Sequence, residues 1–288
     1  MSTTLNTSLN TPHFAPTYLP PLTQDGLQIE GLSVAYGRRR VIESLDIAPL
    51  RAGTLTVVLG PNGSGKSTLL RALAGLVRAQ GSITLEGQEL QHASLAERAR
   101  RIVYLPQALP AAVHLRVIES LLAARKASPH TTRPQQAGSP DAVTQAAALL
   151  EHLGIAHLAM RHLDELSGGQ SQLAGLAQAL IREPRVLLLD EPLSALDLNH
   201  QFHVMQLVRE QTRRHGMTTL VVLHDLGAAL RHADRVIVLK QGQLLADGPP
   251  AQAITPALLA HVYGVQARVE PCSQGLPQVI VDGLTPAA

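Results

Sequence analysis

The stretch Gly60-Pro61-Asn62-Gly63-Ser64-Gly65-Lys66-Ser67, with Thr68 behind it, constrains this chain more than any other. It fits G-x-x-x-x-G-K-[ST], the pattern of a phosphate-cradling loop. Residues 54–59 before it read as a short buried strand, and Leu69, Leu70, Leu73, Leu76 and Val77 after it recur at helical spacing. Strand, glycine loop and helix in that order aim backbone N–H groups and a helix N-terminus at an anion. Lys66 is a point charge for the β- and γ-phosphates of a nucleotide, and the Ser67 hydroxyl is a ligand for Mg²⁺. The bland alternative, a glycine-rich turn that caps a helix, leaves the lysine and the preceding strand unexplained.

Around this loop the chain alternates strands and helices. Residues 1–25, rich in Thr, Ser, Asn and Pro, read as a mobile tail. Strand-like alternation starts at Leu27, runs through Tyr36, and returns at Val41-Ile42 and Leu45-Asp46-Ile47. Residues 81–87 and 101–105 are further strands. Helical patterns at 116–126 and 141–153 flank a loop that begins at Ser128, and this helical insertion closes at Leu166. Strands at 185–190, 218–223 and 235–239 then alternate with helices, and beyond Gln241 come a turn, a short strand, a small helix at 256–263 and an extended tail. That order implies a mostly parallel sheet covered on both faces.

Composition narrows the partners. A formal net charge of +2, without a basic block or aromatic-interleaved patch, gives no case for nucleic-acid binding. One cysteine, Cys272, excludes an internal disulfide and cysteine-based metal sites. No apolar run approaches the roughly 20 residues that span a bilayer, and the N-terminus lacks a secretory pattern. The expected protein is soluble and cytoplasmic, held at a membrane only by another protein.

Two further motifs carry chemistry. Val186-Leu187-Leu188-Leu189-Asp190-Glu191 is an apolar strand that delivers two carboxylates to the carboxyl end of a parallel sheet, where α/β ligands bind. Asp190 is the candidate Mg²⁺ holder. Glu191, turned away by strand alternation, is the candidate for polarising the attacking water. The second motif is Leu166-Ser167-Gly168-Gly169-Gln170. Ser167 and Gln170 make a capping box, yet consecutive glycines in a first turn cost about 1 kcal/mol each relative to alanine. They strip the helix end of side chains, so it reads as a second phosphate-binding helix N-terminus. His200 and His203 share a helix face, but no acidic or sulfur ligand set accompanies them.

With these motifs in place the sequence resembles the ATP-binding subunit of an ABC transporter from about Leu27 to Tyr263, residues 167–170 matching the family signature. The resemblance implies an α/β fold: a P-loop NTPase (RecA-like) core, an antiparallel β subdomain and an inserted helical subdomain at about 108–165, within an ATPase domain of 26–264 and followed by a C-terminal extension of 265–288. It implies that Tyr36 stacks on adenine, and that Gln107 links Mg²⁺ and water to a transmembrane partner. It gives Ser194-Ala195-Leu196-Asp197 the role of crossing a dimer interface, and His224 that of a switch contacting the γ-phosphate. Catalysis then rests on Glu191, His224, Gln107 and Lys66, and Mg²⁺ on Ser67, Gln107 and Asp190. The chain departs from the usual pattern at Ser171 and Leu173, where the family often has basic residues.

The function so implied is ATP hydrolysis that powers import, at the cytoplasmic face of the membrane. The working unit is a head-to-tail homodimer holding two ATP molecules, joined to transmembrane permease subunits and, indirectly, a substrate-binding protein. Each site would take residues 60–68, Gln107, Asp190, Glu191 and His224 from one chain and Ser167 to Gln170 from the other. Tyr104-Leu105-Pro106-Gln107, Leu223-His224-Asp225-Leu226 and Val262-Tyr263-Gly264-Val265 are similar to importers of iron–siderophore complexes, haem and cobalamin. Iron(III)–siderophore complexes are the favoured cargo, with haem or cobalamin the alternative. A soluble non-transport ATPase would carry long coiled-coil insertions or two cassettes, and the chain has neither sustained heptads nor a second motif set.

Overall fold

The computed structural model describes residues 26–109, 113–127 and 141–285. The expected N-terminal tail and the loop from Ser128 lie outside the described residues. Three strands buried along their whole length form the spine: β3 (Leu55–Leu59), β7 (Val186–Asp190) and β8 (Thr218–Val222). With β6 (Ile102–Leu105), β9 (Arg235–Lys240) and β10 (Gln243–Gly248) they make a sheet of order β10-β9-β3-β8-β7-β6. All neighbours in it are parallel except β10, which runs antiparallel on the β9 edge. Strands buried on both faces need cover on both.

Alternation along each strand divides the core in two. Val57, Val103, Leu187, Leu189 and Val221 face one layer, which holds α3 (Val117–Lys126), α4 (Ala142–His152), α5 (Gly168–Leu180) and α6 (Leu198–His215). Val58, Ile102, Val186, Leu188 and Val222 face the other, which holds α1 (Lys66–Leu73) and the antiparallel sheet. That second sheet has the order β2-β1-β4-β5, from β1 (Leu27–Tyr36), β2 (Arg39–Leu50), β4 (Ala79–Leu85) and β5 (Gln88–Glu89). One strand therefore feeds both cores, and the loop that leaves β3 emerges at the seam.

Three expectations need correction. Leu76 and Val77 are not on the loop helix: α1 ends at Leu73, Gly75 takes φ 76° and Leu76 is 51% exposed. The cause is tertiary. Arg98, buried on α2 (Leu95–Ala99), donates to the carbonyls of Ala72 (2.9 Å) and Leu73 (3.3 Å) and so caps that end. A Cβ on Gly75 would stand 2.7 Å from Arg98 Cδ. Next, the extended tail is a hairpin. β11 (Val265–Pro271) and β12 (Pro277–Leu284) pair antiparallel and pack on α9 (Pro256–Tyr263) and α7 (Leu226–His232), with Arg268 forked onto Asp282. The third concerns Glu191 and is described with the site. Among the described residues no helix is long and apolar enough to cross a membrane.

Candidate active site

The glycine loop hangs between β3 and α1, and its shape is fixed by close approach. Gly60 has φ 145°, and a Cβ there would lie 2.0 Å from the Leu239 carbonyl oxygen. No side chain can be accommodated. Gly63 and Gly65 follow at φ 76° and 103°. Gly65 is the N-cap of α1 and supplies no side-chain acceptor, so the first-turn N–H groups keep their capacity for an anion. Pro61, Asn62, Gly63 and Ser64 complete the loop, and Thr68 lies in the first turn of α1. Asn62 and Gly63 are exposed, while Ser64 is buried with its hydroxyl unpartnered. Lys66 is 5% exposed and donates Nζ–H to the carbonyls of Gly60 (2.7 Å) and Pro61 (3.1 Å). Burial lowers its pKa, and the nearby Glu191 and Asp190 push the other way.

Asp190 is 1% exposed and lies on the α1 side of β7, in alternation with Val186 and Leu188. Its two oxygens have separate donors. Ser67 Oγ–H donates to Oδ1 at 2.9 Å, and Tyr104 Oη–H donates to Oδ2 at 2.9 Å. In the sequence Tyr104 stands out only within Tyr104-Leu105-Pro106-Gln107. Period-2 alternation with Ile102 puts it under α1, and a lone hydroxyl on that apolar face was the available signal. Burial above all pushes its phenol up to about 12, so it stays a donor. The Arg71 guanidinium, Nε 3.4 Å from the same oxygen, opposes that rise and has Tyr36 as a further partner.

Glu191 does not continue the strand. Its φ is +52°, a left-handed conformation that for a non-glycine residue costs about 1–3 kcal/mol and concentrates at functional sites. Its N–H still bonds the Val222 carbonyl at 3.2 Å, so the chain keeps its ladder while the side chain is redirected. Strand alternation, the expected cause of its direction, is replaced by this backbone turn. The carboxylate is bracketed: Gln107 Nε2–H donates to Oε2 at 2.6 Å, and His224 Nε2 contacts Oε1 at 2.5 Å, which requires the proton on Nε2. Residues separated widely in sequence thus converge. The chemistry of the donors fits Mg²⁺: a hydroxyl and a carboxylate held together, both oxygen ligands of the kind a hard cation takes.

The signature helix end lies elsewhere. Ser167 and Gln170 make a complete capping box, at 3.1 and 3.4 Å. Gly168 and Gly169 differ. A Cβ on Gly168 meets nothing within 4 Å, whereas one on Gly169 would lie 2.8 Å from the Ala195 carbonyl oxygen. Only the first glycine keeps the helix end open; the second lets the loop at 194–197 pack close. Ser167, Gly169 and Gln170 line a cleft of about 310 Å³ with Ala195, Asp197 and His200, and no residue of the glycine loop is in its wall. Tyr36, 45% exposed, closes β1 at the rim of the antiparallel sheet. His200 is held by Asp197, and His203 by the His152 carbonyl.

Known proteins resemble this chain in sequence and fold. A sequence profile described as ABC transporter matches residues 47–194. The ferric enterobactin transport ATP-binding protein FepC of Escherichia coli K12 is 39% identical over 265 residues, 90% of this chain and 95% of that protein. The hemin import ATP-binding protein HmuV of Nocardia farcinica is 41% identical over 239 residues, 83% and 81% of the two chains. Among solved structures, an inward-facing putative metal-chelate type ABC transporter superposes with a TM-score of 0.70 at 27% identity, covering 89% of this chain and 97% of its own.

Proposed function

The chain belongs to the ABC transporter family as an ATP-binding subunit, and from that premise we propose that its ATP hydrolysis powers import of iron(III)–siderophore complexes. One observation carries the catalytic half of the proposal: Glu191, turned out of its strand, is held between Gln107 and His224 beside the Ser67–Asp190 pair. The cargo is supported by the relative described as a ferric enterobactin transport ATP-binding protein.

In the mechanism, Tyr36 stacks on adenine while Gly60, Pro61, Asn62, Gly63, Ser64, Gly65 and Thr68 wrap the phosphates. Lys66 exchanges the Gly60 and Pro61 carbonyls for β- and γ-phosphate oxygens; its charge is buried, so the exchange takes place where attraction is poorly screened. Ser67, Asp190 and Gln107 would hold Mg²⁺, which would supply positive charge to offset that of the phosphates. Glu191 accepts the proton of the attacking water. Each of its oxygens keeps a lone pair beyond the bond it already makes, so Gln107 and His224 can hold the carboxylate while it acts. His224, with Nε2 on Glu191 and its side chain 47% exposed, would contact the γ-phosphate through the rest of its ring.

Ser167, Gly168, Gly169 and Gln170 serve the ATP bound by a second copy, in a head-to-tail homodimer. A helical block at about 108–165 within a domain of 26–264 would meet transmembrane permease subunits at the cytoplasmic face, with a substrate-binding protein beyond them and residues 265–288 as an extension. A second reading, haem import, has support from the Nocardia relative. The test is ATP hydrolysis by the chain assembled with its permease in lipid, with the binding protein empty, loaded with a ferric siderophore, or loaded with haem. Stimulation by the ferric siderophore is expected. Stimulation by haem alone replaces the cargo, and hydrolysis indifferent to both removes the transport reading.

A further inference from the structure

We propose that Tyr104 is a positioning residue that keeps Asp190 a one-oxygen ligand and thereby sets the preference of the site for Mg²⁺ over larger divalent cations. The inference rests on Ser67 and Asp190 being the Mg²⁺ pair.

The geometry begins with register. β6 and β7 run parallel with Tyr104 opposite Leu188, so Asp190 lies two residues farther along the same face. Two residues of strand are about 6.6 Å, a diagonal that a phenol can reach across and a serine or threonine cannot. Phenylalanine would span it without the hydroxyl. The surrounding sheet face, from Ile102, Val186 and Leu188, is apolar, and the other donor close to the phenol is Arg71 on α1.

The direction of the hydrogen bond is also fixed. Arg71 Nε stands 3.4 Å from Tyr104 Oη, and a guanidinium has donors only. The phenol must accept from Arg71 and turn its own hydrogen to Asp190 Oδ2. Each oxygen of Asp190 has one donor and keeps a further lone pair, but Tyr104 anchors Oδ2 toward β6 while Oδ1 lies beside Ser67 Oγ, the other proposed Mg²⁺ ligand, so the anchored carboxylate presents Oδ1 to a cation shared with Ser67. Mg²⁺ demands near-ideal octahedral geometry with short bonds, whereas Ca²⁺ accepts carboxylates through both oxygens at longer range. A carboxylate pinned at one oxygen therefore favours the smaller ion.

The experiment follows a fluorescent ATP analogue binding to the full chain as Mg²⁺ or Ca²⁺ is titrated, with a chelator baseline, for wild type, Tyr104→Phe and Asp190→Asn. Outer-shell partners of metal ligands are typically worth 10–100-fold in metal affinity. For Tyr104→Phe the half-saturating Mg²⁺ concentration should rise about tenfold, the chelator baseline should stay put, and the Mg²⁺-over-Ca²⁺ preference should shrink. An unchanged Mg²⁺ curve and preference in Tyr104→Phe, with the Mg²⁺ response lost in Asp190→Asn, overturns the role of Tyr104 and leaves the Mg²⁺ assignment standing. If Asp190→Asn itself keeps the wild-type response, the assignment falls and the inference with it. Should Tyr104→Phe fail to fold, Arg71→Met, which frees the phenol to rotate, is expected to shift Mg²⁺ in the same direction, and no shift overturns the proposal.

Discussion

At the scale of single residues, the site is built from side chains that break the rule of their own element. Glu191 leaves its strand at positive φ, Lys66 is a buried ammonium, and Asp190 is a buried carboxylate at the end of an apolar run. Replacement of Glu191 by Gln keeps the shape and removes the base. Turnover should fall by about 10²–10⁴ while nucleotide affinity stays near wild type; hydrolysis within a few-fold of wild type would remove the base assignment. His232 gives a pH prediction of a different kind. It is 5% exposed, edge-on to Phe202 at 5.2 Å, and its pKa is lowered by burial, then by Arg231 and Arg209, with Asp225 opposing. The folded form thus binds fewer protons than the unfolded chain. Its contribution to stability is complete above the unfolded value near 6.5 and is lost as pH falls below it. Thermal melts should show the midpoint dropping from pH 7.5 to 5.5, with a smaller drop in His232→Gln.

At the scale of elements, the two glycines that open α5 can be told apart. Gly168→Ala enters open space and gains about 1 kcal/mol of helix propensity, so its melting temperature should hold or rise. If this helix end receives a phosphate, ATP hydrolysis by the same variant should fall at least tenfold. Gly169→Ala presses on the Ala195 carbonyl oxygen, and overpacking of that kind typically costs about 1–3 kcal/mol. It should lose stability and hydrolysis together. Full activity in Gly168→Ala would reduce Ser167-Gly168-Gly169-Gln170 to a cap. Much of this level was legible in the sequence, because a strand, a glycine loop and a helix are contiguous and their periods differ. The end of α1 was not, since Arg98 caps it from another segment. Nor was the closing hairpin, whose partners α7 and α9 are chosen by packing rather than by pattern.

At the scale of the molecule, the sheet is a partition whose carboxyl edge collects Gly60 after β3, Gln107 after β6, Asp190 and Glu191 at the end of β7, and His224 after β8. Strand ends could be read one by one, and alternation then told which face each residue took. Tyr104 escaped because its role lies between strands, in a register that no single stretch encodes. The same holds for Gln107 and His224 meeting at one carboxylate: each was singled out through the family resemblance, and their mutual contact is a property of strand order. The signature cleft at Ser167 lies apart from the glycine loop within one chain. On the two-chain reading, every assembled site mixes two polypeptides. In genetic terms, a Glu191→Gln allele would then be dominant: its product folds, pairs with intact copies and occupies the permease, so most randomly formed pairs would carry a dead base even when half the subunits are sound.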